Sequence, residues 1–343
     1  MRILAGRLAA SVWLCAAALA CGTALALDST QIAVVVNARD PVSVAIGEYY
    51  AARRTLSFQN IVRVEFTPGQ SVMSQVEFAS VRAALERRTR PGVQAYALTW
   101  AAPYRVDCMS ITAAFAFGFD AAYCAEGCKA TQASPLFNAP GRLPHKEHGV
   151  RPAMAIAART LDEAKALIDR GVAADGSLPD GAAYLLSTSD TARNVRHLLY
   201  PLAQSVMQRR LRVSVLRQDA LEHVRDVFFY FTGKVRVEGL STLNFAPGAV
   251  ADHLTSAGGM LTDSPQMSAL AWLEAGATGS YGTVVEPCNL LQKFPHPAIL
   301  AAHYLGGETL IEAYWKSVMM PGQGIFIGEP LAAPFRPALR RRD

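Results

Sequence analysis

Short apolar runs alternate with helix-patterned segments along most of the chain, and this alternation restricts the fold more than any other feature. Residues 32–36 (IAVVV) read as a buried strand. Asp40-Pro41 then sets an N-cap residue before a proline at the first helical position, opening a helix toward Arg54. A second strand is expected at 60–66. Ser74 with Glu77 has the spacing of a capping box, and Phe78, Val81 and Leu85 fall on one helix face. A third strand follows at 93–100. Strands and helices joined by short links predict a parallel sheet with helices on its faces, a three-layer α/β fold.

Between 101 and 150 the periodicity fades. This stretch holds three cysteines, several Gly and Pro, and His145-Lys146-Glu147-His148. It reads as a disulfide-tied insertion or a boundary, because structureless loops of this length are uncommon unless they do something. His145 and His148 could face a metal if helical, but the Pro144 context suggests a loop of solvated residues, and no metal is expected. The pattern resumes with a strand at 153–157, a capping box from Thr160 and Glu163, and Gly171 as a helix stop. Further strands are expected at 183–187, 212–216 and 227–231, with a helical stripe of Val195, Leu198, Leu199, Leu202 and Val206. A strand at 249–254 runs into Thr255-Ser256-Ala257-Gly258-Gly259, and Ser264-Pro265 opens a helix that Gly276 ends. A strand-like run at 278–286 closes on Pro287-Cys288-Asn289. A helix marked by Leu310, Ala313, Tyr314 and Ser317 and an apolar run at 324–328 complete the pattern. We divide the chain into an amino-terminal α/β unit at 27–144, a carboxyl unit at 145–334 and a basic tail at 335–343.

The first 26 residues are ordered as a secretory signal peptide: basic Arg2 and Arg7, an apolar run at 8–19, then Ala24-Leu25-Ala26 before the expected cut. The run is shorter than the ~20 residues of a membrane span. Cleavage after Ala26 would leave Leu27 first and place the protein in the periplasm or outside the cell, with no membrane span. The formal charge of +5 includes Arg2 and Arg7, so +3 remains. Arg336, Arg340, Arg341 and Arg342 concentrate positive charge in the tail, and the near-neutral body argues against a nucleic-acid groove. Four cysteines survive the cut. In an oxidising compartment they suggest two disulfides, for which we expect Cys124 with Cys128 and Cys108 with Cys288.

In a sheet of this kind ligands gather at the carboxyl ends of strands. The candidates there are Asp252, His253, Thr255 and Ser256 after one strand and Glu286, Cys288 and Asn289 after another. A strand end followed by Thr-Ser-x-Gly-Gly can expose a hydroxyl and backbone N–H groups to a bound group. The same residues can also make a capped turn in which glycine supplies positive φ. Cys288 as a nucleophile would need a free sulfur and a base, for which His253 or His296 could serve. No nucleophile elbow, zinc-protease, P-loop or dinucleotide fingerprint is present, and no cofactor is expected.

The runs YRVDCMSITAAFAFGFD, NFAPGAVADHLTSAGG, QMSALAWLEAGATGSYGTVVEPCN and TLIEAYWKSVMMPGQGIFIGEPLAAPF resemble a family of exported bacterial proteins from genomes that carry exosortase, the sorting enzyme of PEP-CTERM proteins. More distantly, the carboxyl half is similar to gingipain-like peptidases of caspase-like fold. In that family a strand ends in the catalytic Cys, a helix ends in Gly-Ala, another strand follows, and a Gly-Asp-Pro comes late. Here residues 249–256 are followed by a helix to Glu274 with Gly276-Ala277, a strand at 278–285 and Gly328-Glu329-Pro330. Thr255 or Ser256 stands where that family has its Cys, and Thr232-Gly233-Lys234 where it has His-Gly. The resemblance implies a caspase-like carboxyl unit that has lost the cysteine dyad. It would be a degenerate scaffold binding a peptide or glycan in the cell envelope, beside export machinery of the exosortase type or an exopolysaccharide system. The rival expectation is a hydrolase using Ser256 or Cys288 with His253.

Overall fold

The computed structural model describes residues 26–125 and 127–337. Residues 1–25 of the expected leader and 338–343 of the expected basic tail lie outside the described residues. The first part of the chain supplies β1 (Ile32–Asn37), α1 (Pro41–Arg53), β2 (Ile61–Val64), β3 (Val72–Met73), α2 (Gln75–Arg88), β4 (Ala95–Leu98), β5 (Arg105–Val106), β6 (Met109–Ser110), α3 (Ile111–Phe117), α4 (Pro144–His148) and β7 (Ala153–Ala155). The second supplies α5 (Leu161–Ala174), β8 (Ala182–Ser187), α6 (Tyr200–Met207), β9 (Arg212–Arg217), β10 (Val227–Gly233), β11 (Phe245–Leu254), α7 (Leu270–Glu274), β12 (Gly279–Thr283), α8 (Pro297–Leu305), α9 (Leu310–Ser317) and β13 (Gly324–Gly328).

Ten strands form one sheet in the order β2-β1-β4-β7-β13-β12-β11-β10-β8-β9. Neighbours from β2 to β7 run parallel, as do those from β12 to β9. Between these groups lies β13, antiparallel to β12 and bridged to β7 at Ile327 and Ala155. The sheet is continuous across position 144, since β4 pairs with β7 from Tyr96–Ala153 to Leu98–Ala155. This is a mostly parallel α/β fold with flanking helices, consistent with the caspase-like arrangement that the resemblance implies. Strands such as β1, β4, β10, β12 and β13 are buried along their whole length, which accounts for their near-continuous apolar or small-residue character.

Local signals hold where local chemistry decides. Asp40 accepts from Val42 N with Pro41 inside the helix start, and Thr160 with Glu163 closes a full capping box on α5. Ser74 caps α2 by accepting from Glu77 N, but the Glu77 carboxylate takes Thr67 N at 3.0 Å, so that box is half formed.

Four expectations need correction. Gly171 does not stop α5: it is buried, and a Cβ there would lie 2.6 Å from Cβ of Glu329, so glycine makes room between elements. Ser264-Pro265 opens no helix, because Ser264 Oγ is spent on the loop, donating to Ala257 O at 2.7 Å and accepting from Gln266 N at 3.1 Å. Residues 144–148 are helical rather than loop, since Pro144 sits in the first turn where its missing N–H costs nothing. The disulfides are Cys108–Cys124 and Cys128–Cys288. Cys108 lies in the β5–β6 hairpin, whose fold brings it beside Cys124 (Cα–Cα 5.5 Å), so the staple to the carboxyl half falls to Cys128.

Candidate functional site

The carboxyl ends of β8, β11 and β12 converge on a cleft of about 230 Å³ lined by Ala192, Arg193, Leu254, Thr255, Ser256, Glu286, Cys288 and Asn289. The loop after β8 is seated by Thr188, whose N–H donates to Asn194 Oδ1 (2.9 Å) and whose hydroxyl donates to Gly233 O (2.6 Å). A Cβ on Gly233 would lie 1.9 Å from Arg193 O, so only glycine lets this loop press against the end of β10. Arg193 is thereby carried over the end of β11. Its Nε donates to Thr255 Oγ1 at 3.1 Å and its Nη1 pairs with Asp190 at 3.2 Å.

Thr255 in turn donates to Gln266 Oε1 (2.6 Å), which also accepts from Ala257 N (2.9 Å). Its hydroxyl is therefore spent on the loop. The carbonyls of Thr255 and Ser256 accept from Thr283 Oγ1 at 3.1 and 2.9 Å, which ties the end of β11 to that of β12. Gly258 and Gly259 serve close approach rather than positive φ. A Cβ on Gly282 of β12 would stand 2.4 Å from Gly258 C and Gly259 N, so the two backbones touch. Glu286 is exposed and caps its own loop by accepting from Cys288 N at 2.7 Å. Asn289 is exposed at the rim.

Asp252 and His253 are not in this cleft. Successive strand residues face opposite sides of a sheet, and both sides are filled here. Asp252, 1% exposed, forms an ion pair with the buried Arg196, whose Nη2 also donates to Thr232 O (2.7 Å) and Asp252 O (3.1 Å). Arg196 further stacks over the Phe231 ring at 5.1 Å. His253, 2% exposed, faces α7: its Nδ1 accepts from Trp272 Nε1 at 2.9 Å and its Nε2 meets Met267 O at 3.1 Å. Met267 O can only accept, so the proton sits on Nε2. Burial pushes the pKa down to about 3, and the ring stays neutral with both nitrogens engaged.

The expected strand-end cluster therefore divides. Thr255, Ser256, Glu286, Cys288 and Asn289 come together, while Asp252 and His253 are core residues, and His253 has no nitrogen left to serve Ser256 as a base. Cys288 is bonded to Cys128 and offers no thiolate. His296 lines a different cavity of about 240 Å³ with Phe137, Leu199, Leu291, Phe294 and Met319. At the end of β10, Lys234 pairs with Asp219. Sequence reasoning missed Arg193, Asp190 and Gln266. The position of Arg193 just beyond the strand at 183–187 was the available signal. Among the described residues no cluster of His, Cys, Asp or Glu has the makings of a metal site, and no helix is long and apolar enough to cross a membrane.

No protein-family model matches the chain, and no curated protein matches it significantly. Among solved structures, one described as "Structure of Protease" aligns over 90% of this chain and 79% of that chain, at 12% identity and a TM-score of 0.45.

Proposed function

We propose that this chain is an exported, non-catalytic scaffold of caspase-like kind whose strand-end cleft binds a peptide, in the cell-envelope setting that the resemblance to exosortase-associated proteins implies. One observation carries the reading. The cleft presents a guanidinium (Arg193), a hydroxyl (Ser256), a carboxylate (Glu286) and an amide (Asn289), while the two groups that would make it a hydrolase are engaged elsewhere, His253 by Trp272 and Met267 and Cys288 by Cys128. Such a set can hold an extended chain through its own amides and a charged side chain without acting on it. Peptide backbones offer donors and acceptors together, which suits charges of both signs set close to each other. The two disulfides and the expected leader fit a periplasmic or secreted location.

The test uses the exported protein against a fluorescent peptide library, with a glycan array in parallel. Glu286→Gln and Asn289→Ala are expected to weaken peptide binding about tenfold, the scale of one hydrogen bond to a charged group, without shifting the melting temperature. Binding confined to the glycan array would replace the peptide by a sugar. Labelling of Ser256 by a fluorophosphonate probe, with turnover of a peptide ester, would overturn the non-catalytic reading in favour of the hydrolase.

A further inference from the structure

Leu27 is an unusual first residue for a mature chain, because it is fully buried and belongs to the main hydrophobic core. Its backbone is held at both ends: Arg336 Nη2 donates to Leu27 O, and Leu27 N lies 3.1 Å from Glu312 Oε2, 285 positions away. Glu312 is the third residue of α9 and is 3% exposed. The same Oε2 accepts from Thr309 N (2.9 Å) and Thr309 Oγ1 (2.6 Å), while Oε1 is buried with no partner. Among the described residues no Lys, Arg or His forms an ion pair with Glu312. Its neighbour Lys316 is committed to Glu308 and to Gly141 O, and Arg142 also faces Glu308. A buried carboxylate with one orphan oxygen and no ion-pair partner is costly, and burial raises its pKa although the Thr309 hydrogen bonds and the charge of nearby Lys316 oppose the rise.

We propose that Glu312 is the receptor for a new amino terminus: cleavage of the Ala26–Leu27 bond converts the Leu27 amide into an α-ammonium that forms a buried ion pair with the Glu312 carboxylate. In the cleavage, water adds across the peptide bond under a signal peptidase, residues 1–26 leave with a carboxylate on Ala26, and Leu27 N gains its protons. The ammonium brings a full positive charge and three N–H groups to a place where the amide brings one N–H. One of these can serve Oε1. Ala26 is only 3% exposed and Leu27 not at all, so the bond must be cut before this part of the chain packs, and burial then secures the product. Removal of the leader thus becomes a folding step, one that joins the start of β1's approach to α9 near the carboxyl end. The inference rests on reading residues 1–26 as a removable leader and is independent of what the cleft binds.

The experiment compares a chain that begins at Leu27, released from a cleavable tag, with the same chain carrying Gly-Ser before Leu27. The chain with the free Leu27 amine is expected to melt higher by about 3 °C or more, and the gap is expected to close when both carry Glu312→Gln. Equal melting temperatures, or a gap that survives the substitution, would overturn the proposal. If the Glu312→Gln chains do not fold, titration of the Leu27 α-amine by NMR after reductive 13C-methylation decides instead. A pKa above the ordinary range of about 7.7–8.0 supports the ion pair, and a value within or below that range refutes it. Amino-terminal sequencing of the exported protein that finds a start other than Leu27 also refutes it.

Discussion

Removing the carboxylate of Asp252 should cost stability rather than ligand binding. In Asp252→Ala the Arg196 guanidinium stays buried, keeps its bonds from Nη2 to Thr232 O and Asp252 O, and loses the one carboxylate that pairs with it among the described residues. Breaking a buried pair from one side costs about 3–5 kcal/mol, because the remaining ion is left uncompensated. At about 2 °C per kcal/mol for a large domain, the melting temperature should fall by about 6–10 °C. Removing both charges has a different sign. Asp252→Leu with Arg196→Met replaces the pair by apolar volume, and such replacements are neutral or stabilising by about 1–4 kcal/mol. Circular-dichroism melts of the parent, Asp252→Leu, Arg196→Met and the double variant complete the cycle, with Asp252→Ala beside them and the wild-type cleft ligand added to each. A loss under about 1 kcal/mol in Asp252→Ala, or a specific loss of binding with unchanged melting, would refute the reasoning and return Asp252 to the site.

His253 is held neutral in the fold, its pKa pushed down to about 3 chiefly by burial, whereas in the unfolded chain it protonates near 6.5. Stability present above about pH 6.5 is therefore lost as the pH falls toward 3, by up to about 1.4 kcal/mol per unit; His253→Gln should flatten the decline between pH 6.5 and 5, and an unchanged slope would contradict the assignment. Non-reducing peptide mapping should return Cys108 with Cys124 and Cys128 with Cys288. Removing the second bridge by double Ala substitution should cost about 2 kcal/mol more than removing the first, since in the chain-entropy account its 160-residue separation against 16 is what counts; equal losses would show that loop length does not set its contribution. Gly282→Ala would place a Cβ 2.4 Å from the Gly258-Gly259 backbone, and we expect about 2 kcal/mol of destabilisation together with weakened cleft binding, whereas a silent substitution would show that the loop moves freely.

The elements were legible where a few neighbouring residues decide them. Asp40-Pro41 and Thr160-x-x-Glu163 start helices through side-chain bonds that span two or three positions, so nothing distant needs to be known. Ser264-Pro265 looked the same and failed, because its hydroxyl found a better partner in Ala257 O across a loop. Gly171 looked like a helix end and proved to be space for Glu329, which comes 158 residues later. The cleft was half legible. Strand ends in a parallel sheet pointed to Thr255, Ser256, Glu286 and Asn289, whereas Arg193 enters only because Gly233 lets the loop after β8 close on β10.

By itself the sequence determined the class of fold, since a chain that alternates buried strands with amphipathic helices has few ways to cover its apolar faces other than a parallel sheet between helices. It did not separate Asp252 from His253, which the strand-end reading grouped in one site, although the side-chain period of two sends neighbouring strand residues to opposite sides of a sheet. What lies on those sides was decided by the tertiary structure alone. Arg196 and Trp272 reach β11 from elements 56 and 19 positions away, and the pairing of Cys128 with Cys288, like that of Leu27 with Glu312, joins segments that no local pattern relates. Periodicity reports which way a side chain points; only the packed chain supplies the group that meets it and so decides whether a histidine at a strand end becomes a base or a buried acceptor.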